Sequence, residues 1–351
     1  MNNNTIPVTK SQGKQKENFT ADAQKKVAKL QIKKADNKAV IDWLIGQRMQ
    51  KEIETAYKIY QCATYVKFSD DNGQAKITDA NFCRQRVCHV CAWRRQAKFL
   101  SQITPILAQT SAEGYEFIFV TLTVKNATYK RLKCTIDNMM SAYNKLLGRS
   151  KIHKAFAGVI RSMEITYNPE RGDYHPHIHM LVAVKPEYFF NPDLYITKDE
   201  MLSIWSSCAK LNYLPSIDME KVTNSTKASI ETIKYALKPS IYEEALKGFY
   251  YLLRGRRLIS FSGIFSKYRK DFEREQEGDL LETTACILHN TIAYRFDSSG
   301  GLYRFLDTYT KESNNYEEFL RIRRRVETSA EKLVNNTESN SGLVGSPQVY
   351  I

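Results

Sequence analysis

The chain has 351 residues, of which 52 are Lys or Arg and 38 are Asp or Glu, so its formal net charge at pH 7 is +14. A hydrophobic fraction of 42% is enough for a folded core, and the length favours a main domain with additional modules. No apolar run approaches the roughly 18 residues of a membrane span, and the polar stretch Met1–Lys16 lacks the apolar segment of a secretory signal. We therefore expect a cytoplasmic protein whose positive charge favours a polyanionic partner.

The sequence patterns divide the chain into five segments. Residues 1–58 are basic and helical in pattern after a polar start, which predicts a partly disordered arm and helix rather than a core. Residues 59–112 contain a cysteine-rich module and a further helix, and residues 113–240 carry the strand and helix patterns of a central domain. Residues 241–334 are largely helical in pattern, and residues 335–351 are rich in Asn, Ser and Gly, which predicts a disordered tail.

Four cysteines in the second segment have the spacing of metal ligands. Cys83, Cys88 and Cys91 follow one another with four and two residues between them, and Cys62 stands upstream. Four thiolates can close a tetrahedral zinc site and so fix a small module that lacks a core of its own. We therefore predict one structural Zn²⁺ on these cysteines, with His89 as a substitute ligand. Free cysteines are the alternative.

An aromatic and basic run follows these cysteines directly, at Trp93, Arg94 and Arg95. An indole ring can stack on a base, and guanidinium groups can bind phosphates. Arg94 and Arg95 are therefore candidate DNA contacts. Packing of this helix against the cysteine module is the other interpretation.

The third segment begins with a strand, a helix and two further strands. We predict these elements at Tyr115–Val124, Arg131–Leu147, Val159–Tyr167 and His177–Val184. Strand, helix, hairpin and helix in this order predict an α+β sandwich with a mostly antiparallel sheet. Thr121 and Thr123 share one face of the first strand, where packing is the expected role and support of a nearby site is the alternative.

The second strand of the hairpin carries a group of histidines. Because alternate side chains of a strand share one face, His177 and His179 lie together while Ile178 points into the core. Two neutral imidazole nitrogens on one face can bind one divalent ion. His175 lies on the same face beyond Pro176, so we expect it to support the site or contact DNA. Purely structural histidines are the alternative.

The preceding strand adds a carboxylate to these histidines. A turn-rich segment with Pro169 and Gly172 joins the two strands, and a symmetric hairpin places Glu164 opposite His177. One carboxylate and two imidazoles leave coordination positions open, an arrangement that suits Mg²⁺ or Mn²⁺. We therefore predict a divalent ion on His177, His179 and Glu164, with a solvent-facing role of Glu164 as the alternative.

Further candidates lie in the helical pattern that begins near Ser225. Glu231 and Tyr235 stand four residues apart and share one helix face. A tyrosine oxygen can attack a phosphodiester, and a carboxylate one turn away can act as general base for water. Lys234 and Lys238 lie on the same broad face and can hold phosphates, although solvated lysines are more common. In a chain with 21 tyrosines, a packing role for Tyr235 is the alternative from spacing alone.

Three stretches that contain these residues resemble, in the same order, the three motifs of plasmid rolling-circle replication proteins: Phe119–Asn126, Arg161–Val184 and Ile230–Lys238. That family belongs to the HUH endonucleases, which are named for histidine, hydrophobic residue, histidine. The resemblance extends over roughly residues 55 to 285 and is specific in its combination of motifs. One departure follows the third motif, where Pro239 and Ser240 replace the acidic stretch that is common in relatives.

The resemblance implies an antiparallel sheet of about five strands with flanking helices, the HUH type of α+β fold. It also implies a metal ion on His177 and His179, and Tyr235 as the single nucleophile that nicks a plasmid origin, keeps the 5′ phosphate and releases a 3′ hydroxyl primer. Glu231 matches a glutamate that replaces a second catalytic tyrosine in one branch of the family, and it would activate water when a second cleavage and strand joining end replication. Expected partners are plasmid origin DNA, single-stranded or hairpin, and the host helicase and replication machinery.

Two other kinds of function share part of this pattern. A conjugative relaxase or single-tyrosine transposase uses the same chemistry with different substrates and partners. A non-catalytic DNA-binding repressor would use the histidines only as structural residues. The cysteine module ahead of the first strand of the central domain favours the replication function.

Overall fold

The computed structural model describes the following parts of the chain: residues 10–71, 73–222, 243–252, 255–271 and 291–309. Within them the chain forms two compact units, each with its own antiparallel sheet. The helical pattern that begins near Ser225 lies outside the described residues, and so do four candidate residues: Glu231, Lys234, Tyr235 and Lys238.

The α-helices with defined ends are α1 Lys10–Gly46, α2 Gln50–Tyr60, α3 His89–Ala112, α4 Tyr129–Leu147, α5 Ser150–Ala155, α6 Lys198–Ala209 and α7 Glu243–Lys247. A 3-10 helix spans Pro186–Phe189, a π-helix spans Gly248–Leu252, and residues 264–271 are also helical. The helix predicted at Arg131–Leu147 is confirmed by α4. None of the helices in the described ranges is both long and apolar enough to cross a membrane.

The strands are β1 Tyr65–Asp71, β2 Gln74–Ala80, β3 Glu116–Thr123, β4 Gly158–Asn168, β5 Asp173–Val184, β6 Ile217–Lys221, β7 Ile259–Gly263, β8 Thr291–Asp297 and β9 Leu302–Tyr309. In the described part of the chain, five strands form the larger sheet in the order β6-β3-β5-β4-β7, and four form the smaller sheet in the order β2-β1-β8-β9. All their pairings are antiparallel. The predicted α+β fold with an antiparallel sheet of about five strands is confirmed.

The larger sheet is built around β5, whose side chains Ile178, Met180 and Val182 are fully buried. Helix α4 packs beside β5 and α6, because its apolar residues recur every three or four positions and form one buried stripe. The indole of Trp205 in α6 is also buried, and its Nε1 donates a hydrogen bond to the Thr123 carbonyl at 2.8 Å. This packing holds the ends of β3 and β5 together, where the histidines lie.

The N-terminal helix contributes to a core, so the expected arm is wrong for the described residues. Phe19, Ala23 and Leu30 recur at helical spacing and are buried. Lys26 Nζ donates to the Ala75 carbonyl of β2 at 2.7 Å, which holds this part of α1 against the smaller sheet. Charged residues between the apolar positions conceal this stripe in the sequence, and burial of the stripe stabilises the helix.

The region after residue 241 differs from its largely helical prediction, because β7, β8 and β9 lie within it. Strand β7 pairs with β4 at the edge of the larger sheet, and β8 pairs with both β1 and β9. Their partners lie far away in sequence, so tertiary pairing overrides the local pattern. The sequence patterns also do not predict the β1–β2 hairpin. It turns at Gly73, whose φ of +84° is a conformation that favours glycine.

Candidate functional site

The β4–β5 hairpin has the register that the sequence predicts. Glu164 is the Cα partner of His177, and Ser162 is the partner of His179. Cross-strand partners share one face of a sheet, so the two imidazoles and the carboxylate lie together while Ile178 is buried on the opposite face. The predicted convergence of these three side chains is confirmed, and their role as metal ligands stays a prediction.

His179 is held at both ring nitrogens. Its Nε2 lies 2.8 Å from Glu164 Oε2, and its Nδ1 lies 3.1 Å from Thr121 Oγ1 on β3. The Phe119 ring stacks on the imidazole with centroids 5.7 Å apart. Thr121 therefore contacts His179, which favours the alternative that this threonine supports the site, whereas Thr123 is buried as expected. These contacts fix the direction in which the imidazole presents Nε2.

His177 presents a nitrogen that no other described residue satisfies. Its Nδ1 is buried, has no hydrogen-bond partner in the described part of the chain, and lies 4.0 Å from Glu164 Oε2. Burial, followed by the charges of His175 and His179, lowers the pKa of His177 to about 3. The imidazole is therefore neutral at pH 7, and the neutral form is the one that binds a metal ion. A buried imidazole nitrogen without a described partner, beside a carboxylate, fits a site for a divalent cation.

The distances also show how this group must adjust to bind one ion. Among the described side chains, only the four cysteines form a group whose ligand atoms all lie within 4.8 Å of one another. The ring centroids of His177 and His179 are 5.8 Å apart, and the His179 nitrogen faces Glu164. Shared binding of an ion therefore requires side-chain rotation and replacement of the His179–Glu164 hydrogen bond by bonds to the metal.

A polar network borders the histidines on the turn side. The His175 and His177 rings have centroids 4.0 Å apart, and His175 Nδ1 contacts Asn126 Oδ1. Asn126 Nδ2 donates to Asp173 Oδ2 at 2.9 Å, and Asp173 pairs with Arg171. Burial and the charge of Arg171 lower the pKa of His175. The sequence pattern does not single out Asn126, although this residue is the last of the first motif.

The cysteine cluster brings together the four cysteines that the spacing predicts. One ligand atom from each of Cys62, Cys83, Cys88 and Cys91 lies within 4.8 Å of the others, and Cys83 Sγ is 3.6 Å from Cys91 Sγ. All four are free thiols, and three of them are buried. Four sulfur ligands at such distances can hold a metal ion such as zinc.

Two polar residues on α1 support the start of α3 beside these thiols. Asn37 is buried, accepts a hydrogen bond from the His89 backbone nitrogen at 2.8 Å, and donates to Cys88 Sγ at 3.5 Å. His89 Nδ1 lies 3.7 Å from Asp36 Oδ2. His89 is not part of the group of close ligand atoms, so its predicted substitute role has no support in the described residues.

Arg95, the second arginine after the cysteines, has a local role in the structure. Arg95 Nη2 donates to the carbonyl of Arg86 at 3.0 Å and lies 3.4 Å from that of Gln85. Its guanidinium therefore braces the loop between Cys83 and Cys88. The DNA contacts predicted for Arg94 and Arg95 stay predictions.

The antiparallel α+β domain, the histidine–glutamate group and the cysteine cluster define a class of protein with two candidate metal sites. Comparison of sequences identifies its family: the family described as "Replication protein" matches residues 74–297. The chain belongs to this replication protein family. This membership confirms the resemblance to replication proteins that the three motifs indicate.

Individual relatives agree with the family match. A "Protein rep" of Lactiplantibacillus plantarum is 34% identical over 251 residues, which cover 66% of this chain and 79% of the relative. A "Protein rep" of Streptococcus pneumoniae is 32% identical over 241 residues, covering 65% and 75%. A third, of Staphylococcus aureus, is 35% identical over 190 residues, covering 52% and 82%. No solved structure matches the chain.

Proposed function

We propose that this replication protein initiates rolling-circle replication of a plasmid by nicking one strand of the origin through metal-dependent tyrosine transesterification. The observation that carries the proposal is the group on β4 and β5, where His179 and Glu164 are hydrogen-bonded and His177 Nδ1 is buried without a hydrogen-bond partner among the described residues. Membership in the replication protein family and a formal charge of +14 support DNA as the substrate.

In this proposal His177, His179 and Glu164 would hold Mg²⁺ or Mn²⁺. The bound ion supplies a Lewis acid for the scissile phosphate. Thr121 keeps a contact with His179 Nδ1, so the imidazole directs Nε2 toward the ion. His175 borders His177, and Asn126 contacts His175 Nδ1.

The proposed nucleophile is the Oη of Tyr235. It attacks the phosphorus, the bond from phosphorus to the 3′ oxygen breaks, and the leaving oxygen takes a proton to become the 3′ hydroxyl that primes synthesis. The phosphotyrosyl bond retains the energy needed for later strand joining. At termination Glu231 activates water for the second cleavage, and Lys234 and Lys238 contact phosphates. The assignment of Tyr235 and Glu231 rests on the motif resemblance. That of Lys234 and Lys238 rests on the predicted helix face that they share.

The test of this function is cleavage of supercoiled DNA that carries the plasmid origin. We expect the purified full chain to give nicked circles with Mg²⁺ or Mn²⁺ and none with excess chelator. Glu164→Gln should require a higher metal concentration because one of three ligands is weakened. Glu170→Gln is the matched control, since Glu170 is an exposed carboxylate in the turn of the same hairpin. Chelator-insensitive cleavage contradicts the proposal, as do identical metal titrations of the two variants.

Termination has a separate test in the Glu231→Ala variant. This variant should nick and form the covalent adduct, because Tyr235 and the proposed metal ligands are unchanged. Hydrolysis at the regenerated origin should fail, so covalent complexes and plasmid multimers accumulate. Normal termination by the variant contradicts the role of Glu231. Sequence-specific DNA binding without any nicking by the unaltered chain supports a repressor instead.

A further inference from the structure

A cavity of about 210 Å³ lies on the face of the larger sheet opposite to the histidines. Arg161 and Met163 of β4 line it, and they alternate along the strand with Glu164, whose side chain lies on the histidine face. The remaining lining residues come from α4 and from the chain before β7: Ile136, Met140, Arg256, Arg257 and Leu258. The cavity is therefore separated from the candidate metal site by the thickness of the sheet.

Arg161 brings a buried positive charge to this cavity. The residue is only 2% exposed. Its Nε donates to Ser260 Oγ at 3.0 Å, and its Nη2 donates to the Arg257 carbonyl at 2.9 Å. Its Nη1 lies 3.3 Å from Met140 Sδ, and the Tyr143 ring lies 5.5 Å from its Cζ. Among the described residues it forms no ion pair with a carboxylate. Burial of a guanidinium without a counter-ion is unfavourable, so its placement beside a cavity indicates an anionic ligand.

The neighbouring charges leave the lining positive. Arg256 pairs with Asp137, while Arg257 is exposed and its side chain forms no ion pair with a described residue. Three guanidiniums and one paired carboxylate leave a net charge of about +2 to be matched, which suits a phosphate. The remaining lining side chains, Ile136, Met140, Met163 and Leu258, are apolar.

We propose that this cavity binds one nucleotide of single-stranded DNA, with its phosphate on the arginines and its base against Met140 and Met163. The volume is smaller than the roughly 300–1,000 Å³ of pockets for drug-sized ligands, and it suits a single planar base. Thioether side chains adapt to aromatic rings. The base must be unpaired to enter, which selects a single strand or a hairpin loop. This contact is additional to the proposed nicking reaction, so it can fail while nicking is retained.

The base-binding part is tested by fluorescence anisotropy with the full chain and no divalent ion, so that no strand is cut. The probes are a set of single-stranded origin oligonucleotides. Each probe lacks one base, and the position of the missing base differs from probe to probe. For the unaltered chain, we expect one abasic position to lower the affinity about tenfold. Met140→Trp fills the cavity from α4 and should remove this position dependence, whereas Met140→Leu should retain it. The same abasic profile in Met140→Trp and the unaltered chain overturns the proposal.

The phosphate-binding part is tested with Arg257→Gln, a substitution of an exposed side chain that also decides the question if Met140→Trp does not fold. Arg131→Gln is the control, because Arg131 is an exposed arginine of α4 that does not line the cavity. Arg257→Gln should lower affinity several-fold and reduce the salt dependence by about 0.7 in the logarithmic slope, the value for one phosphate of a single strand. Equal effects of the two substitutions overturn the proposal. The proposal is also overturned if the affinity does not depend on the position of the missing base and a deoxynucleoside monophosphate binds tightly. In that case the ligand of the cavity is a free nucleotide.

Discussion

The histidine–glutamate group and the cysteine cluster differ in how complete they are as metal sites. The four cysteines bring all their ligand atoms within 4.8 Å of one another and already form a closed set. His177, His179 and Glu164 offer three ligands, and one of these contacts is 4.0 Å long. A closed thiolate set can stabilise a fold, whereas an open set of nitrogen and oxygen ligands leaves positions for a phosphate. The comparison therefore favours a structural role for the cysteine cluster, and the proposed function gives the chemistry to the histidine–glutamate group.

The largest effect is expected for a histidine substitution that lowers nicking activity but leaves the stability of the fold largely unchanged. His177→Ala removes a proposed ligand whose Nδ1 has no hydrogen-bond partner among the described residues, so the fold should be largely unaffected. Nicking of supercoiled DNA should fall by about 10³-fold or more. His153→Ala is the matched control, because His153 is exposed on α5. If His177→Ala nicks at the rate of the control, the histidine–glutamate group does not have the proposed role in nicking, and the contrast with the cysteine cluster is wrong.

The second effect is one of stability at the cysteine cluster. Cys88→Ser should abolish the binding of one equivalent of Zn²⁺ and lower the free energy of unfolding by about 4 kcal/mol, the scale of a lost metal site. Elemental analysis and urea unfolding measure the two changes. Cys134→Ser is the control, because Cys134 is exposed on α4. Retention of zinc with an unchanged unfolding midpoint shows that Cys88 is not a structural ligand.

The smallest effect concerns the support of His179. Thr121→Val keeps the shape of the side chain but removes the oxygen that lies 3.1 Å from His179 Nδ1. The metal concentration for half-maximal nicking should rise about 10–100-fold, as is usual when a residue that orients a metal ligand is lost. Thr121→Ser should restore the normal titration because it returns the hydroxyl. If both variants titrate like the unaltered chain, Thr121 has no role in metal binding.

The sequence was sufficient to predict those parts of the fold and the candidate site that depend on a local pattern of residues. Alternation along His177–Val184 and the turn at Gly172, whose φ is +65°, determine the register that brings Glu164 to the histidines. Contacts between distant segments could not be predicted. Asn37 reaches Cys88 across 51 positions, and Thr121 reaches His179 only because β3 pairs with β5. The strands after residue 241 were missed for the same reason.

In the proposed function, Tyr235 becomes covalently linked to the 5′ phosphate of the nicked origin strand. The direct measurement is mass spectrometry of tryptic peptides after the full chain has reacted with single-stranded origin DNA and a divalent ion. We predict a nucleotide adduct on the peptide that contains Tyr235, and its loss in Tyr235→Phe with unchanged DNA binding. An adduct on any other of the 21 tyrosines, or cleavage by Tyr235→Phe, contradicts the account.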